Sequence, residues 1–361
     1  MLMLKLFEPI TIGAIHAPNR ILMAPMTRGR ATHAHVPTAL MREYYVQRAS
    51  AGLIITEATG ISQQGLGWPS SPGIWSEEQV AAWRPIVSAV HAAGGRIVSQ
   101  LWHMGRLVHP DFLAGHRPVS ASATTAPDWA HTYSGNQLYA ESRALEYGEI
   151  RSLVSDYRRA AENALAAGFD GVELHAATGY LIDQFLRDGT NRRQDAYGGS
   201  IENRLRLLIE VTQALIDTVG ADRTGVRLSP NDDSQGCSDS NSAELFARAA
   251  TELNRLQIAF LEMRASRPES TLRPALRQVV PAMRRVFKGT LILNSDYTFE
   301  TASRTVELGE ADAIAFGRAF LANPDLPSRF ARNELLNEPV VSTFYSLGPA
   351  GYTDYPALAQ A

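Results

Sequence analysis

An imidazole, a hydroxyl and a phenol fall close together at His175, Thr178 and Tyr180, directly after the alternating run 171–175. In a strand, Gly171, Glu173 and His175 share one face while Val172 and Leu174 share the other. If the apolar pair packs on helices, His175 is the last side chain on the opposite face. An imidazole there is a candidate catalytic group. A phenol with an ordinary pKa near 10 stays protonated at neutral pH and can deliver that proton. Read singly, His175 is a structural histidine and Tyr180 an aromatic rim. Read together, they are a proton-transfer site.

Other short apolar runs end in polar groups as well: Thr27, Glu57-Ala58-Thr59, Gln100 with Trp102 and His103, Arg227, Asn294-Ser295-Asp296, and Gly317-Arg318. These are hydrogen-bonding groups and fixed cations, without the clustered carboxylates of a divalent-metal or glycosidase site. None of these ends carries a lysine for a Schiff base. Gly317 permits close backbone approach and Arg318 can grip a phosphate with two parallel hydrogen bonds, so 294–296 with 317–318 predict a phosphate site. The alternative for Arg318 is a salt bridge to Asp312 or Asp325.

The elements that must position these groups follow from periodicity. Short β-branched runs at 20–24, 52–56, 96–101, 171–175, 224–228, 258–263, 290–293 and 313–316 alternate with helical patterns such as 79–93, 150–167, 201–219, 243–256 and 300–308. Strand alternating with helix predicts a parallel α/β sheet. Eight units, with no G-x-G-x-x-G after the first strand, predict a single (β/α)8 TIM barrel over 1–361 rather than a doubly wound sheet. In such a barrel the strand ends converge on one mouth, and the last two commonly bind phosphate. Residues 6–13 read as an N-terminal hairpin capping the bottom. The long segment 103–147 after strand 3 reads as a lid or subdomain.

Composition narrows the classes. The 361 residues are 45% apolar, and 34 basic against 37 acidic residues give a net charge of −3, which argues against nucleic acid or an anionic membrane as partner. The single cysteine, Cys237, leaves neither an internal disulfide nor an iron–sulfur or cysteine-rich metal site, so redox chemistry here needs a non-metal cofactor. The apolar start is interrupted by Glu8-Pro9, and no run of about 18 apolar residues follows, so a cytoplasmic protein is expected.

The run 175–204, HAATGYLIDQFLRDGTNRRQDAYGGSIENR, resembles the signature of the Old Yellow Enzyme family of FMN-dependent ene-reductases. Further matches spread along the chain: 19–28 at strand 1, 100–106 at strand 3, 227–230 at strand 5, 316–318 and 323–326 at strand 8, and 351–356. Gly65-Leu66-Gly67-Trp68-Pro69 is similar to the bacterial alkene reductases of that family. The resemblance implies FMN across the barrel mouth, its phosphate on Arg318, Gly317 and the backbone around Ser295, with Asn294 and Asp296 beside it. Arg227 would sit at the N1/O2 edge. Thr27 and Gln100 would bind the ring's carbonyl and imide edge, with Pro25, Met26 and Ala58 against it. It further implies ping-pong turnover, in which NADPH or NADH reduces the flavin and an α,β-unsaturated carbonyl then takes the same place. His175 and residue 178 would bind the carbonyl oxygen, and Tyr180 would protonate the α-carbon. Trp68, Trp102, Phe344 and Tyr345 would form the pocket wall, Tyr345 beside the cofactor.

The chain departs from the pattern at Thr178, where the family usually has Asn or His. A hydroxyl reaches less far than an amide or imidazole N–H, which predicts weakened carbonyl binding. Ser295 also replaces a frequent Gly, with little effect if the backbone N–H does the binding. Two other readings stand beside the ene-reductase: a flavin-binding barrel with impaired or shifted activity because of Thr178, and a flavin-free phosphosugar lyase using Arg318. The expected partner is a small enone or enal, with the protein a monomer or small homo-oligomer. His33, Arg30 and Arg264 could touch the nicotinamide or a neighbouring subunit.

Overall fold

The computed structural model describes residues 4–231, 233–264 and 279–358. A 3-10 turn (Lys5–Phe7) leads into the antiparallel hairpin β1 (Ile10–Ile12) and β2 (Ile15–Ala17). Then follow β3 (Ile21–Met23), α1 (Ala39–Gln47), β4 (Ile54–Ile55), β5 (Thr59–Gly60), α2 (Glu77–Ala92) and β6 (Ile97–Trp102). The long excursion holds β7 (Val119–Ser120), the hairpin β8 (Trp129–Thr132) and β9 (Gly135–Leu138), and β10 (Arg143–Ala144). After it come α3 (Tyr147–Ala167), β11 (Gly171–His175), α4 (Leu181–Leu186), α5 (Ile201–Val219), β12 (Thr224–Leu228) and α6 (Ser242–Arg255). The chain continues through β13 (Phe260–Arg264), α7 (Val279–Val286), β14 (Thr290–Asn294), α8 (Phe299–Glu307), β15 (Ala313–Phe316), α9 (Arg318–Ala322) and α10 (Leu326–Arg332).

Strands β3, β4, β6, β11, β12, β13, β14 and β15 pair in parallel in that order, and β15 returns to β3 with Ile314 opposite Ile21. The expected closed (β/α)8 barrel is what forms. Strand alternation splits its apolar residues between two cores. Val172, Leu174, Val226 and Leu261 point outward and join the helix faces, among them Tyr157, Leu208 and Phe246. Leu22, Ile55, Val98, Phe260, Ile292 and Ala313 point inward. The helices are set by local signals. Ser76 with Gln79 and Thr298 with Thr301 form capping boxes at α2 and α8, and Gly168 ends α3 in the left-handed region.

The N-terminal hairpin does plug the bottom of the barrel, but it spans 10–17 rather than 6–13. Leu6 instead lies in the 3-10 turn, buried in the outer core. Ile12, Ile15 and Ala17 pack against the inward layer, and truncating Ile12 to Ala would cost about 2–5 kcal/mol. Gly13 makes the turn, at φ +59, where an added Cβ would fall 2.0 Å from the Asp222 carbonyl. Among the described residues no helix is long and apolar enough to cross a membrane.

Candidate active site

At the C-terminal end of the barrel lies a cavity of about 640 Å³, within the usual range for a small-molecule or cofactor site. Every residue assigned to the site from sequence lines it: Pro25, Met26, Thr27, Ala58, Trp68, Gln100, Trp102, His175, Thr178, Tyr180, Arg227, Asn294, Ser295, Asp296, Gly317, Arg318, Phe344 and Tyr345. Parity explains the convergence, since each barrel strand brings its last inward side chain to one rim. Ala24, Arg28, Tyr297, Phe316, Ala319 and Leu321 also line it and were missed. Several of these directly adjoin expected residues, so proximity along the chain was the available signal. Of the three undecided residues, Arg264 lines the cavity. Arg30 is buried and donates to carbonyls of Thr343, Phe344 and Ala350, while His33 stacks on Tyr133 with centroids 4.2 Å apart.

His175 ends β11 beneath this mouth. The backbone N–H of Ala177 donates to its Nδ1 at 3.4 Å, so in the neutral ring Nε2 carries the proton and is the donor. Burial, with Arg227 and Arg264 nearby, holds its pKa well below the usual imidazole value. At neutral pH it is an uncharged donor. Tyr180 lies 4.9 Å from it, centroid to centroid, with the rings at 81°. Burial, reinforced by Tyr139 and Tyr345, raises the phenol above its ordinary pKa despite Arg264 and Arg227. It therefore stays protonated.

Between them the backbone turns sharply. Thr178 has φ +51 and Gly179 φ +81. The Thr178 N–H donates to Ser229 Oγ at 2.7 Å, and the Gly179 N–H to Asp183 Oδ2 at 2.9 Å. Asp183 is in turn held by the buried Arg187, which also donates to the Ser229 carbonyl at 2.6 Å. A β-branched residue in the left-handed region is strained, whereas Asn tolerates it.

On the far side, Arg227 is buried and donates from Nη2 to Asn294 Oδ1 at 2.9 Å, while its Nε finds no hydrogen-bond partner among the described residues. Asn294 Nδ2 donates to the Ala315 carbonyl at 2.7 Å. The Asn294 side chain is thus tied to the barrel at both its amide atoms. Gln100 Nε2 donates to Glu173 Oε1 at 2.7 Å.

Arg318 departs from the expectation in its partner. Asp312 pairs with Arg284 and Asp325 with Arg329, and Arg318 instead meets Asp296 at 3.0 Å, both side chains about 70% exposed. A Cβ on Gly317 would meet nothing closer than the Met26 sulfur at 3.5 Å. The protein itself leaves that space open beside an exposed cation. A buried guanidinium at one end and an open backbone with a cation at the other suit an elongated group with a polar ring and an anionic tail, which is the shape of FMN.

Segment 103–147 lines none of the cavity among the described residues, but it backs the wall. His131 packs edge-on to Trp68, centroids 4.8 Å apart, and lies 6.0 Å from Tyr345. The Tyr133 hydroxyl accepts from the Ser70 N–H at 3.0 Å.

Comparison with known proteins places this geometry. The family described as NADH:flavin oxidoreductase / NADH oxidase matches residues 5–337. An old yellow enzyme homologue from Zymomonas mobilis is 56% identical, with a TM-score of 0.95 over 98% of this chain and 99% of that one. The structure of morphinone reductase in complex with tetrahydroNAD is 45% identical, with a TM-score of 0.93 over 98% and 97%. Arabidopsis thaliana 12-oxophytodienoate reductase 2 is 41% identical, covering 98% of this chain and 96% of that protein.

Proposed function

The chain belongs to the NADH:flavin oxidoreductase / NADH oxidase family, that of Old Yellow Enzyme, and is an FMN-dependent NAD(P)H oxidoreductase that reduces activated C=C bonds; from that premise we propose how its residues divide the work. FMN, when bound, would supply hydride-transfer chemistry between NADPH or NADH and the β-carbon of an α,β-unsaturated carbonyl. His175 Nε2–H and the Thr178 hydroxyl hold the carbonyl oxygen and draw electron density from the alkene. Tyr180 delivers its phenolic proton to the α-carbon from the face opposite the hydride. Trp68, Trp102 and Phe344 exclude water and shape the wall.

Arg227, Gln100 and Thr27 bind the polar edge of the flavin ring, against Pro25, Met26, Ala58 and Tyr345. Arg318, the Gly317 backbone and the backbone at 294–296 hold the phosphate. The observation that carries this reading is the juxtaposition of a neutral histidine, protonated at Nε2, with a protonated tyrosine 4.9 Å away on one cavity wall. The substrate is a small enone or enal, the protein is a monomer or small homo-oligomer in the cytoplasm, and residues 1–361 form one domain with 103–147 as its insertion.

The purified protein should be yellow, bleach anaerobically with NADPH or NADH, and recolour on addition of cyclohexenone. Bleaching without recolouring would favour the second reading, a flavin-binding barrel with activity impaired at Thr178. A colourless protein that takes up no FMN would overturn both readings.

A further inference from the structure

Beneath the cavity floor, two acids meet inside the barrel. Glu173 on β11 and Glu262 on β13 are both 0% exposed. Glu173 stands in register with Gln100, and Glu262 with Arg227. The strand between them, β12, carries Gly225 opposite Glu173, so it contributes no side chain at that level, and Glu262 is near enough to push the Glu173 carboxyl up. Below them lies the apolar layer of Phe260, Ile292, Val98 and Ile55.

Donors are scarce. Gln100 Nε2 reaches Glu173 Oε1, but Glu173 Oε2 and both Glu262 oxygens receive no hydrogen bond among the described residues. Arg227 Nε is 3.8 Å from Glu262 Oε1, too far for a hydrogen bond. The groups facing the pair are Arg227 on β12, Gln100 on β6, Asn294 on β14, and His175 and Arg264 one inward step above the acids on their own strands. From β3, β4 and β15 come the apolar Leu22, Ile55, Ala313 and Ala315. Two full negative charges would face each other in a medium that solvates neither, with only Arg227 at the level of the pair and Arg264 one step above, so full ionisation of both acids is disfavoured. Burial first, and Glu262 second, push the Glu173 carboxyl well above the ordinary carboxylate range.

We propose that Glu173 and Glu262 share one proton, one acid donating to the other's carboxylate, and that this singly charged pair positions the Gln100 amide and balances the Arg227 guanidinium under the cofactor ring. The shared proton bridges two of the three oxygens that no other donor reaches. The remaining charge neutralises Arg227 locally. The positioning half rests on the roles proposed above for Gln100 and Arg227, whereas the shared proton does not.

The test uses the flavin-loaded enzyme with carbon-13-labelled glutamate at neutral pH. Infrared difference spectra should show a labelled carboxylic-acid carbonyl band in the wild type that is lost in both Glu173→Gln and Glu262→Gln, because each substitution leaves one carboxylate and an amide donor. Glu57, also buried and raised, contributes equally to all three spectra and cancels. No difference band in either variant overturns the shared proton. For the positioning role, each single Gln variant keeps the pair's net charge and should keep the wild-type midpoint potential, while the double variant removes the charge and should raise it. Single variants that raise the potential as far as the double would overturn that role. A protein that fails to recolour with an enone leaves the infrared result unchanged, so the two readings fail separately.

Discussion

The ring of Tyr180 meets that of Trp102 edge-on, with centroids 4.9 Å apart and planes at 89°. Trp102 is fully buried and also lies near-parallel to His175 at 6.5 Å, so one indole packs against both groups proposed to act on the substrate. With the phenol held in place, removing its hydroxyl tests proton delivery and little else. Tyr180→Phe should slow enone reduction roughly a hundredfold to ten-thousandfold while flavin bleaching by NADPH keeps its rate. Stopped-flow measurement of the two half-reactions separates them, and equal slowing of both would sink the assignment.

Thr178 invites the opposite experiment, an improvement. Its φ of +51 disfavours a β-branched side chain, and Thr178→Asn should stabilise the fold by about 1 kcal/mol. The longer amide should also tighten binding of a phenol or cyclic enone roughly two- to tenfold, the worth of one better hydrogen bond. Thermal unfolding and ligand titration of the flavin absorbance check the two effects. Unchanged affinity would show that residue 178 does not touch the carbonyl.

The Arg318–Asp296 pair predicts opposite effects of two neighbours on cofactor affinity. Arg318→Ala should weaken FMN binding by roughly ten- to a hundredfold through loss of a charged hydrogen bond. Asp296→Asn frees the guanidinium and should strengthen binding about two- to fivefold, as for an exposed ion pair. Quenching of FMN fluorescence by apoprotein reads both, and the Asp296 effect should shrink at high salt. Weaker binding in Asp296→Asn would mean that the carboxylate serves the ligand directly.

His103 predicts a pH effect on stability. The Gly105 N–H donates to its Nδ1 at 3.0 Å, and burial takes the imidazole down to about 3. The unfolded chain takes up this proton near pH 6.5 while the fold resists it, so stability is complete above 6.5 and is lost as pH falls toward 3. At pH 5 the loss is about 2 kcal/mol. The raised carboxyl of Glu173 acts in the other direction, its contribution being lost as pH rises above about 4.5. Comparison of His103→Gln with wild type by urea unfolding at pH 7 and pH 5 isolates the histidine; the variant should lose less on acidification, and identical losses would refute the prediction.

The parts of the site that sequence could reach are those fixed by strand parity. His175, Arg227 and Gln100 fall on inward positions of regular strands, so their convergence follows once eight strands are counted. The Arg318–Asp296 contact and the commitment of Asn294 to Ala315 could not be read in this way, because they depend on side-chain reach across neighbouring loops. The hairpin was misplaced despite a visible signal. Ile10, Ile12, Ile15 and Ala17 alternate around Gly13-Ala14, and Leu6 drew the boundary four residues early. Helix α4 was missed for a physical reason: Leu181, Ile182, Asp183, Gln184, Phe185 and Leu186 are all buried, so it has no exposed face and no amphipathic period. Helix α1 did carry one, with Met41, Tyr44 and Tyr45 buried at helical spacing.

Arg28 and Arg30 donate to the carbonyls of Phe344, Thr343, Ala350 and Gly351, and Phe344 and Tyr345 complete the cavity wall. During translation at about 5–20 residues per second, those guanidinium groups leave the ribosome long before the carbonyls that satisfy them have been made. Until synthesis passes residue 351, Arg28 and Arg30 lack these carbonyl partners and the wall that Phe344 and Tyr345 complete is missing. The complete cavity wall can therefore exist only once nearly the whole chain has been made.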